Sequence, residues 1–269
     1  MTRAEKRRRK KENTRAAREA REARMKREKR KSIARRVGAA VLLVAVAVGI
    51  GAIVTGGDED DGDAAGGTTT TAPETTTAAP ASLPDGCIDK APEPVENRPT
   101  FDAPPEMTID TAKTYTAKIE TSCGYITVAL DDDNAPKGVN NFVTLARAGF
   151  YDGLTWHRVV TDFVIQGGDP EGTGSGGPGY QVETELPPDG EYALGSLAWA
   201  KAPNDAAGTA GSQFFIVTGE NGTTLPAEYG YFGKVTEGLE NAQKIESLAQ
   251  GDGPPSIPMY IYSIEIVES

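Results

Sequence analysis

The chain has 269 residues, a formal net charge of −11, 38% hydrophobic residues and 25% charged residues. This length is typical of one or two domains, but the charge is spread so unevenly that one uniform globular domain is excluded. Residues 1–36 hold 18 Lys and Arg against five Glu, a local net charge of +13, whereas the remaining residues carry −24. The two ends of the chain are therefore expected to meet different surroundings.

The first segment, residues 1–36, is rich in the good helix formers Arg, Lys, Glu and Ala. One interpretation is that its positive charge binds anionic lipid head groups or a nucleic acid. The other is that it is a topology signal without a partner. It contains no aromatic residue for base stacking, and both interpretations stay open.

Residues 37–57 form an uncharged, largely apolar stretch of 21 residues. A helix of that length rises about 30 Å, which matches the hydrocarbon core of a bilayer. Arg35 and Arg36 precede the stretch and acidic residues follow it, so the positive-inside bias places the N-terminus in the cytoplasm. A buried helix and a cleaved signal peptide are the alternatives, but signal peptides have shorter apolar cores of about 7–15 residues. We predict a retained single-pass anchor in the cell membrane, with everything from residue 58 onward outside the cytoplasm.

Residues 58–112 are low in large apolar residues and rich in Thr, Pro, Ala, Gly and acidic residues. Such a composition buries too little apolar surface to offset the entropy lost on ordering. The sequence therefore predicts a disordered, low-complexity linker between the anchor and a domain at residues 113–269.

The region 113–269 shows the periodicities of a folded domain. Alternation of apolar and polar residues predicts two opening strands, and Pro136 begins an amphipathic helix that ends by Gly149. A second helix carries Leu239, Ala242, Ile245 and Leu248 on one face. Further strands are predicted at residues 154–160, 163–167, 193–200, 213–218, 230–236 and 260–267. Many short strands with two helices are typical of a mainly β fold built as a closed antiparallel barrel.

Four blocks of this region carry recognisable motifs. They read WHRVV and FVIQGGDP between residues 156 and 170, GTG and GGPGY between 172 and 180, GSLA and GSQFFI between 195 and 216, and LP and FGKV between 225 and 235. In content and order they resemble the cyclophilin-type peptidyl-prolyl cis-trans isomerases, and the resemblance covers residues 113–269. It implies an eight-stranded closed barrel capped by two α-helices, with a peptide groove on the outer face.

The resemblance also implies roles for individual residues. Arg158, Phe163 and Gln166 are expected to be catalytic. The remaining groove residues are expected to bind substrate, namely Val164, Ala200, Lys201, Gln213, Phe215, Leu225 and Tyr229. The implied partners are proline-containing peptides and unfolded proteins, and we expect a monomer.

The residue types suit this chemistry. Resonance gives the peptide C–N bond partial double-bond character and a rotation barrier of about 18–20 kcal/mol. No bond breaks during rotation, so neither a nucleophile, a metal nor a cofactor is needed. A fixed guanidinium can stabilise the twisted amide, whose proline nitrogen has regained a lone pair.

The sequence departs from the family pattern beside the groove. Lys201 replaces a common Asn, Tyr229 stands where many members have His, and the segment 201–212 is longer than in well-known members. Two other functions are alternatives to the isomerase. One is a non-catalytic proline-peptide-binding or chaperone module on the same scaffold, and the other is a structural membrane protein whose basic segment matters most.

Cys87 and Cys123 are the only cysteines. A compartment outside the cytoplasm permits disulfides, and a bridge would tie the linker to the first hairpin. The alternative is two unpaired thiols with Cys123 buried at the hairpin. The sequence does not decide between them.

Overall fold

The computed structural model describes residues 82–269. The predicted basic segment 1–36, the predicted anchor 37–57 and the first part of the predicted linker, 58–81, lie outside these residues. Within residues 82–269 no helix is long and apolar enough to cross a membrane.

The described part contains eleven strands and three helices. The strands are β1 Tyr115–Thr121, β2 Gly124–Leu130, β3 Leu154–Thr155, β4 Arg158–Val160, β5 Val164–Gly167, β6 Val182–Glu183, β7 Ser196–Trp199, β8 Thr209–Ala210, β9 Phe214–Val217, β10 Tyr231–Glu237 and β11 Tyr260–Glu268. The helices are α1 Pro136–Arg147, α2 Glu220–Thr223 and α3 Leu239–Glu246.

Nine strands form one antiparallel sheet in the order β3-β11-β1-β2-β10-β7-β9-β5-β4, and β6 pairs with β8 separately. The mainly β fold is confirmed, but the main sheet has nine strands where eight were predicted. Within residues 82–269 no ladder joins its end strands β3 and β4, so the predicted closed ring of hydrogen bonds is not found there. The predicted strand 154–160 is interrupted because β3 pairs with β11, whereas β4 pairs with β5.

Helix α1 covers the inner face of the sheet near β10 and β11. Pro136 suits its first turn, where a backbone N–H has no helical partner. The predicted apolar face is confirmed, since Val139, Phe142 and Val143 are fully buried. The Phe142 ring centroid lies 5.0 Å from that of Phe232, at the centre of an aromatic core. Truncating such a buried ring typically costs about 3–5 kcal/mol.

Helix α3 packs against β2, β4 and β5. Ala242 and Ile245 are buried as its sequence pattern predicts, but the helix ends at Glu246, and Leu248 packs into the core from the turn that follows. The short helix α2 was not predicted, because four residues are too few to show a helical period.

Residues 82–112, which we call the arm, were predicted as part of the disordered linker, and this prediction was wrong for them. The arm has no regular secondary structure but packs on the domain. Cys87 forms a disulfide with Cys123, so the two cysteines are not unpaired thiols. Buried Ile109 joins the main core, and Arg98 donates to the carbonyls of Phe150 and Asp152. These few long-range anchors, rather than local composition, hold the arm in place.

Candidate functional site

The register of four neighbouring strands brings one row of side chains to the outer face of the sheet. Arg158 on β4 lies opposite Gln166 on β5, Gln166 opposite Phe215 on β9, and Phe215 opposite Ala198 on β7. Successive strand residues point to opposite faces. The adjacent residues along these strands point the other way. Ile165 on β5, Ile216 on β9 and Leu197 on β7 accordingly lie in the main core on the inner face.

An apolar cluster distinct from the main core forms the floor of this outer face. Its buried members are Val164, Tyr192, Ala198, Phe215 and Val217, and partly buried Phe163, Leu194, Ala200, Leu225, Tyr229 and Tyr231 pack against them. The structure therefore brings together the six apolar groove residues expected from the resemblance, namely Phe163, Val164, Ala200, Phe215, Leu225 and Tyr229. We call this surface the groove.

Tyr229 is held at the groove edge by two contacts. Its ring packs edge-on against Phe215 with centroids 5.5 Å apart. Tyr192 fixes its backbone, because the Tyr192 hydroxyl donates to the Tyr229 carbonyl (2.6 Å) and accepts from the Tyr229 N–H (3.0 Å). Sequence reasoning did not single out Tyr192.

A chain of polar side chains runs along one side of the groove. Arg158 Nη1 donates to Gln166 Oε1 (3.2 Å), Gln166 Nε2 donates to Gln213 Oε1 (3.0 Å), and Gln213 Nε2 donates to the Gly176 carbonyl (2.9 Å). The Arg158 guanidinium also lies 5.8 Å from the centre of the Phe163 ring. A cation thus sits beside an apolar floor, where partial exclusion of water strengthens its field.

Asp252 is a site residue that the sequence did not reveal. Its carboxylate accepts from Arg158 Nε and from Arg158 Nη2, the latter at 2.9 Å. The loop after α3 carries Asp252, and the Val159 N–H bonds the neighbouring Gly253 carbonyl at 2.7 Å. The hydrogen bond and charge of Arg158 lower the pKa of Asp252. No sequence motif indicates that Asp252 pairs with Arg158, because the two residues are 94 positions apart and Asp252 lies in an irregular loop.

We expect Asp252→Asn to lower kcat/KM about two- to five-fold. The bidentate contact orients the guanidinium, but an exposed ion pair is worth only about 0.2–1 kcal/mol. Steady-state rates with a proline peptide would measure the effect, and Asp133→Asn, in the loop before α1, is the matched control. Equal rates for wild type and Asp252→Asn would show that Gln166 alone orients Arg158.

Ala200 and Lys201 lie where the groove meets a second concavity. The Ala200 N–H donates to the Gln213 carbonyl (2.9 Å), so this donor is already used within the domain. Lys201 Nζ lies 5.5 Å from the centre of the Tyr229 ring and donates to the Asp205 carbonyl at 3.2 Å. Asp205 closes the loop by accepting from the Ala202 N–H (3.0 Å), which explains how the longer segment 201–212 keeps a compact shape.

The second concavity, which we call the lateral pocket, has a volume of about 980 Å³. It lies between residues 174–181 on one side and residues 200–205 and 209–213 on the other. Gln166 and Gln213 line it as well, so it is continuous with the groove.

Buried Asp169 organises the start of the loop that walls this pocket. Its carboxylate accepts from the N–H groups of Glu171 (2.8 Å), Thr173 (3.0 Å), Gly174 and Gly176 (3.2 Å). Burial by itself raises the pKa of Asp169, but these backbone donors outweigh it and the pKa is lowered. The glycine-rich run therefore supplies tight turns around the Asp169 carboxylate.

His157 is the only histidine in the sequence, and its side chain is buried. Burial lowers its pKa below the usual 6.5. The imidazole is thus neutral at pH 7.

We expect the free energy of unfolding to decrease as the pH falls below about 6.5. The unfolded chain protonates His157 near that pH, whereas the folded chain resists protonation, so acid favours unfolding. Each unit of difference between the two pKa values corresponds to about 1.4 kcal/mol. Urea unfolding at pH 7.5 and 5.5 measures the change, and His157→Gln should remove this part of it. A pKa at or above 6.5 in an NMR titration of the imidazole would contradict the expectation.

Comparisons with known proteins point to one family. The family profile described as "Cyclophilin type peptidyl-prolyl cis-trans isomerase/CLD" matches residues 116–266. A peptidyl-prolyl cis-trans isomerase of Helicobacter pylori is 43% identical over 142 residues, which cover 52% of this chain and 84% of the relative. Peptidyl-prolyl cis-trans isomerase B of Bacillus subtilis is 51% identical over 115 residues, covering 42% of this chain and 77% of the relative.

Solved structures agree with the sequence relatives. A cyclophilin-type peptidyl-prolyl cis-trans isomerase of Cryptosporidium parvum, solved in the presence of the dipeptide Ala-Pro, superposes with a TM-score of 0.52 at 33% identity. The match covers 56% of this chain and 98% of that protein. A second structure of the same protein superposes with a TM-score of 0.51 at 32% identity.

Proposed function

Because the chain belongs to the cyclophilin-type peptidyl-prolyl cis-trans isomerase family, we propose that its groove binds X-Pro segments and accelerates their rotation by stabilising a twisted amide. The single observation that carries the mechanism is the placement of Arg158. Its guanidinium is held by Gln166 and Asp252 at the rim of an apolar floor. No covalent intermediate is involved.

The apolar floor supplies the grip on proline. Phe215 is only 3% exposed and forms the base, while Phe163, Leu225 and Tyr229 stand around it. A proline ring seated against these side chains is fixed, so the rest of the peptide turns relative to it. The presence of Ala-Pro in the Cryptosporidium parvum structure supports proline-containing peptides as the ligand class.

The polar side of the groove acts on the amide. In the planar ground state the proline nitrogen shares its lone pair with the carbonyl and accepts a hydrogen bond poorly. When the bond twists, the lone pair localises, and Arg158 can donate to it. Gln166 and Gln213 hold the peptide backbone. Binding that is stronger in the twisted state than in the planar state lowers the barrier.

A protease-coupled assay on the purified full chain tests this proposal. A peptide that is cleaved only in its trans X-Pro form should be digested faster when the chain is added, with saturation at high peptide concentration. The dipeptide Ala-Pro should compete. Digestion at the uncatalysed rate at every chain concentration would overturn the proposal.

We further propose that the isomerase acts outside the cytoplasm, attached to the cell membrane through residues 37–57. The charge asymmetry around this stretch supports the orientation. The Cys87–Cys123 disulfide also supports it, because disulfides persist mainly in oxidising compartments. The clients implied by this chemistry are unfolded proteins that cross the membrane, and residues 1–36 would face anionic lipid or nucleic acid on the other side.

The topology has its own test. Protease added to intact cells or spheroplasts should degrade the region after residue 58 and leave residues 1–36 protected. Complete protection of the isomerase region until the cells are lysed would contradict the proposed orientation.

A further inference from the structure

The arm contacts the loop that walls the lateral pocket, and no role has been assigned to this contact. The Phe101 N–H donates to the Pro178 carbonyl at 3.0 Å. The Phe101 ring packs edge-on against Tyr180, with centroids 6.1 Å apart, and lies 6.5 Å from Phe150. The arm therefore forms the back of the wall whose front faces the pocket.

Gly179 shows how closely the two segments approach. Its φ is +104°, and a Cβ at this position would come within 2.3 Å of the Phe101 carbonyl oxygen. Only glycine allows both the backbone conformation and the contact. The fit between arm and loop is thus specific to these two segments.

The loop needs external support because of its composition. Five of the residues from 172 to 179 are glycine, and glycine loses more conformational entropy on ordering than any other residue. Asp169 anchors the first half of the loop. The second half is held by Phe101 and by Tyr180, whose hydroxyl donates to Asn141 Oδ1 at 2.6 Å.

Arg98 locks the arm just before this contact. Its guanidinium donates to the carbonyls of Phe150 and Asp152, the latter at 2.8 Å. Phe150 is also the second ring beside Phe101, so both anchors converge on the turn after α1. We therefore expect displacement of Arg98 to loosen the contact between Phe101 and the loop.

We propose that Arg98 and Phe101 are positioning residues that set the pocket-side wall and so determine affinity for substrate residues flanking the proline. This inference rests on the proposed function of the groove. Pro178, Gly179 and Tyr180 line the pocket directly, and the wall opposite carries Lys201 and Asp205. The pocket is lined mainly by glycine backbone and polar side chains, so it suits a polar flanking residue.

The test compares long and short ligands on the full chain. Phe101→Ala should raise KM about five- to ten-fold for peptides with polar residues on both sides of X-Pro, and leave kcat within two-fold. The inhibition constant of Ala-Pro should change less than two-fold, because this dipeptide has no residues beyond the X-Pro pair to place in the lateral pocket. Arg98→Ala should raise KM for the long peptides in the same way. Phe101→Tyr, which keeps the aromatic ring, should have the wild-type KM.

Ile109→Ala is the matched control, because the Ile109 side chain is buried in the main core, and its backbone N–H, which the substitution keeps, donates to Asn140 Oδ1 (3.3 Å). It should leave KM unchanged. The proposal is overturned if Phe101→Ala and Arg98→Ala leave KM within two-fold, if they weaken Ala-Pro equally, or if Ile109→Ala has the same effect.

Calorimetric Kd values for the same ligands separate this proposal from the proposed function. If the wild type binds peptides without accelerating their isomerisation, the function fails. A selective rise in Kd for long peptides in Phe101→Ala would still support the positioning role, and an unchanged Kd would refute it.

Discussion

Replacing Arg158 with alanine should lower kcat about 10²–10³-fold, the usual effect of losing one preorganised donor at a developing charge. Arg158→Lys should be nearly as damaging. An ammonium lacks the planar fork that contacts Gln166 and Asp252 together, so it cannot occupy the same position over the groove. Steady-state kinetics with a proline peptide measure kcat and KM for both variants.

Phe215→Leu is the control for this experiment. It removes ring surface that contacts proline in the planar and twisted states alike, so it should raise KM more than it lowers kcat. Arg158→Ala should show the reverse pattern. An unchanged kcat in Arg158→Ala would remove the catalytic role from this residue.

Removing the Cys87–Cys123 disulfide should lower the free energy of unfolding by about 3–4 kcal/mol. The two cysteines are 36 residues apart, and a bridge over such a loop restricts the unfolded chain by that amount in the chain-entropy model. Urea unfolding of the double variant Cys87→Ala, Cys123→Ala, compared with the oxidised wild type, measures the loss.

The wild type treated with a reducing agent is the internal control and should lose the same stability as the double variant. Two thiols that react with an alkylating reagent in the unreduced, denatured protein would show that the bridge is absent. A loss below about 1 kcal/mol would show that the arm and the domain do not unfold together.

The helices and strands could be predicted because the residue pattern of each one lies within a short stretch of sequence. Alternation along β1, β2 and β11 and the apolar face of α1 each lie within one stretch of chain. The ends of the strands were predicted less accurately, since they depend on which strand each one pairs with. Trp156 belongs to neither β3 nor β4. Its backbone N–H donates to the Met259 carbonyl, at the point where the chain stops pairing with β11 and begins to pair with β5.

The groove could be predicted only through the resemblance. Gln166 and Phe215 are 49 positions apart in the sequence, and only strand register brings them and Arg158 together, while a ring contact with Phe215 adds Tyr229. Asp252 was missed for the same reason, with no motif to compensate. A lone acidic residue between two glycines reads as an ordinary turn.

The prediction that the arm is disordered was wrong because it relied on amino-acid composition alone. Residues 82–112 contain few large apolar residues, but Cys87, Arg98, Phe101 and Ile109 each find a partner far away in the sequence. A disulfide and a handful of anchors offset an entropy cost that the local sequence alone cannot.

Exchange NMR on a proline peptide mixed with the wild-type chain tests the central claim most directly, because it reports binding and cis–trans interconversion in the same sample. The account predicts that interconversion accelerates as the peptide saturates the groove. In Arg158→Ala the peptide should still bind, but interconversion should slow by at least 10²-fold relative to wild type. Binding by the wild type without any acceleration would contradict the account and identify the domain as a non-catalytic peptide-binding module.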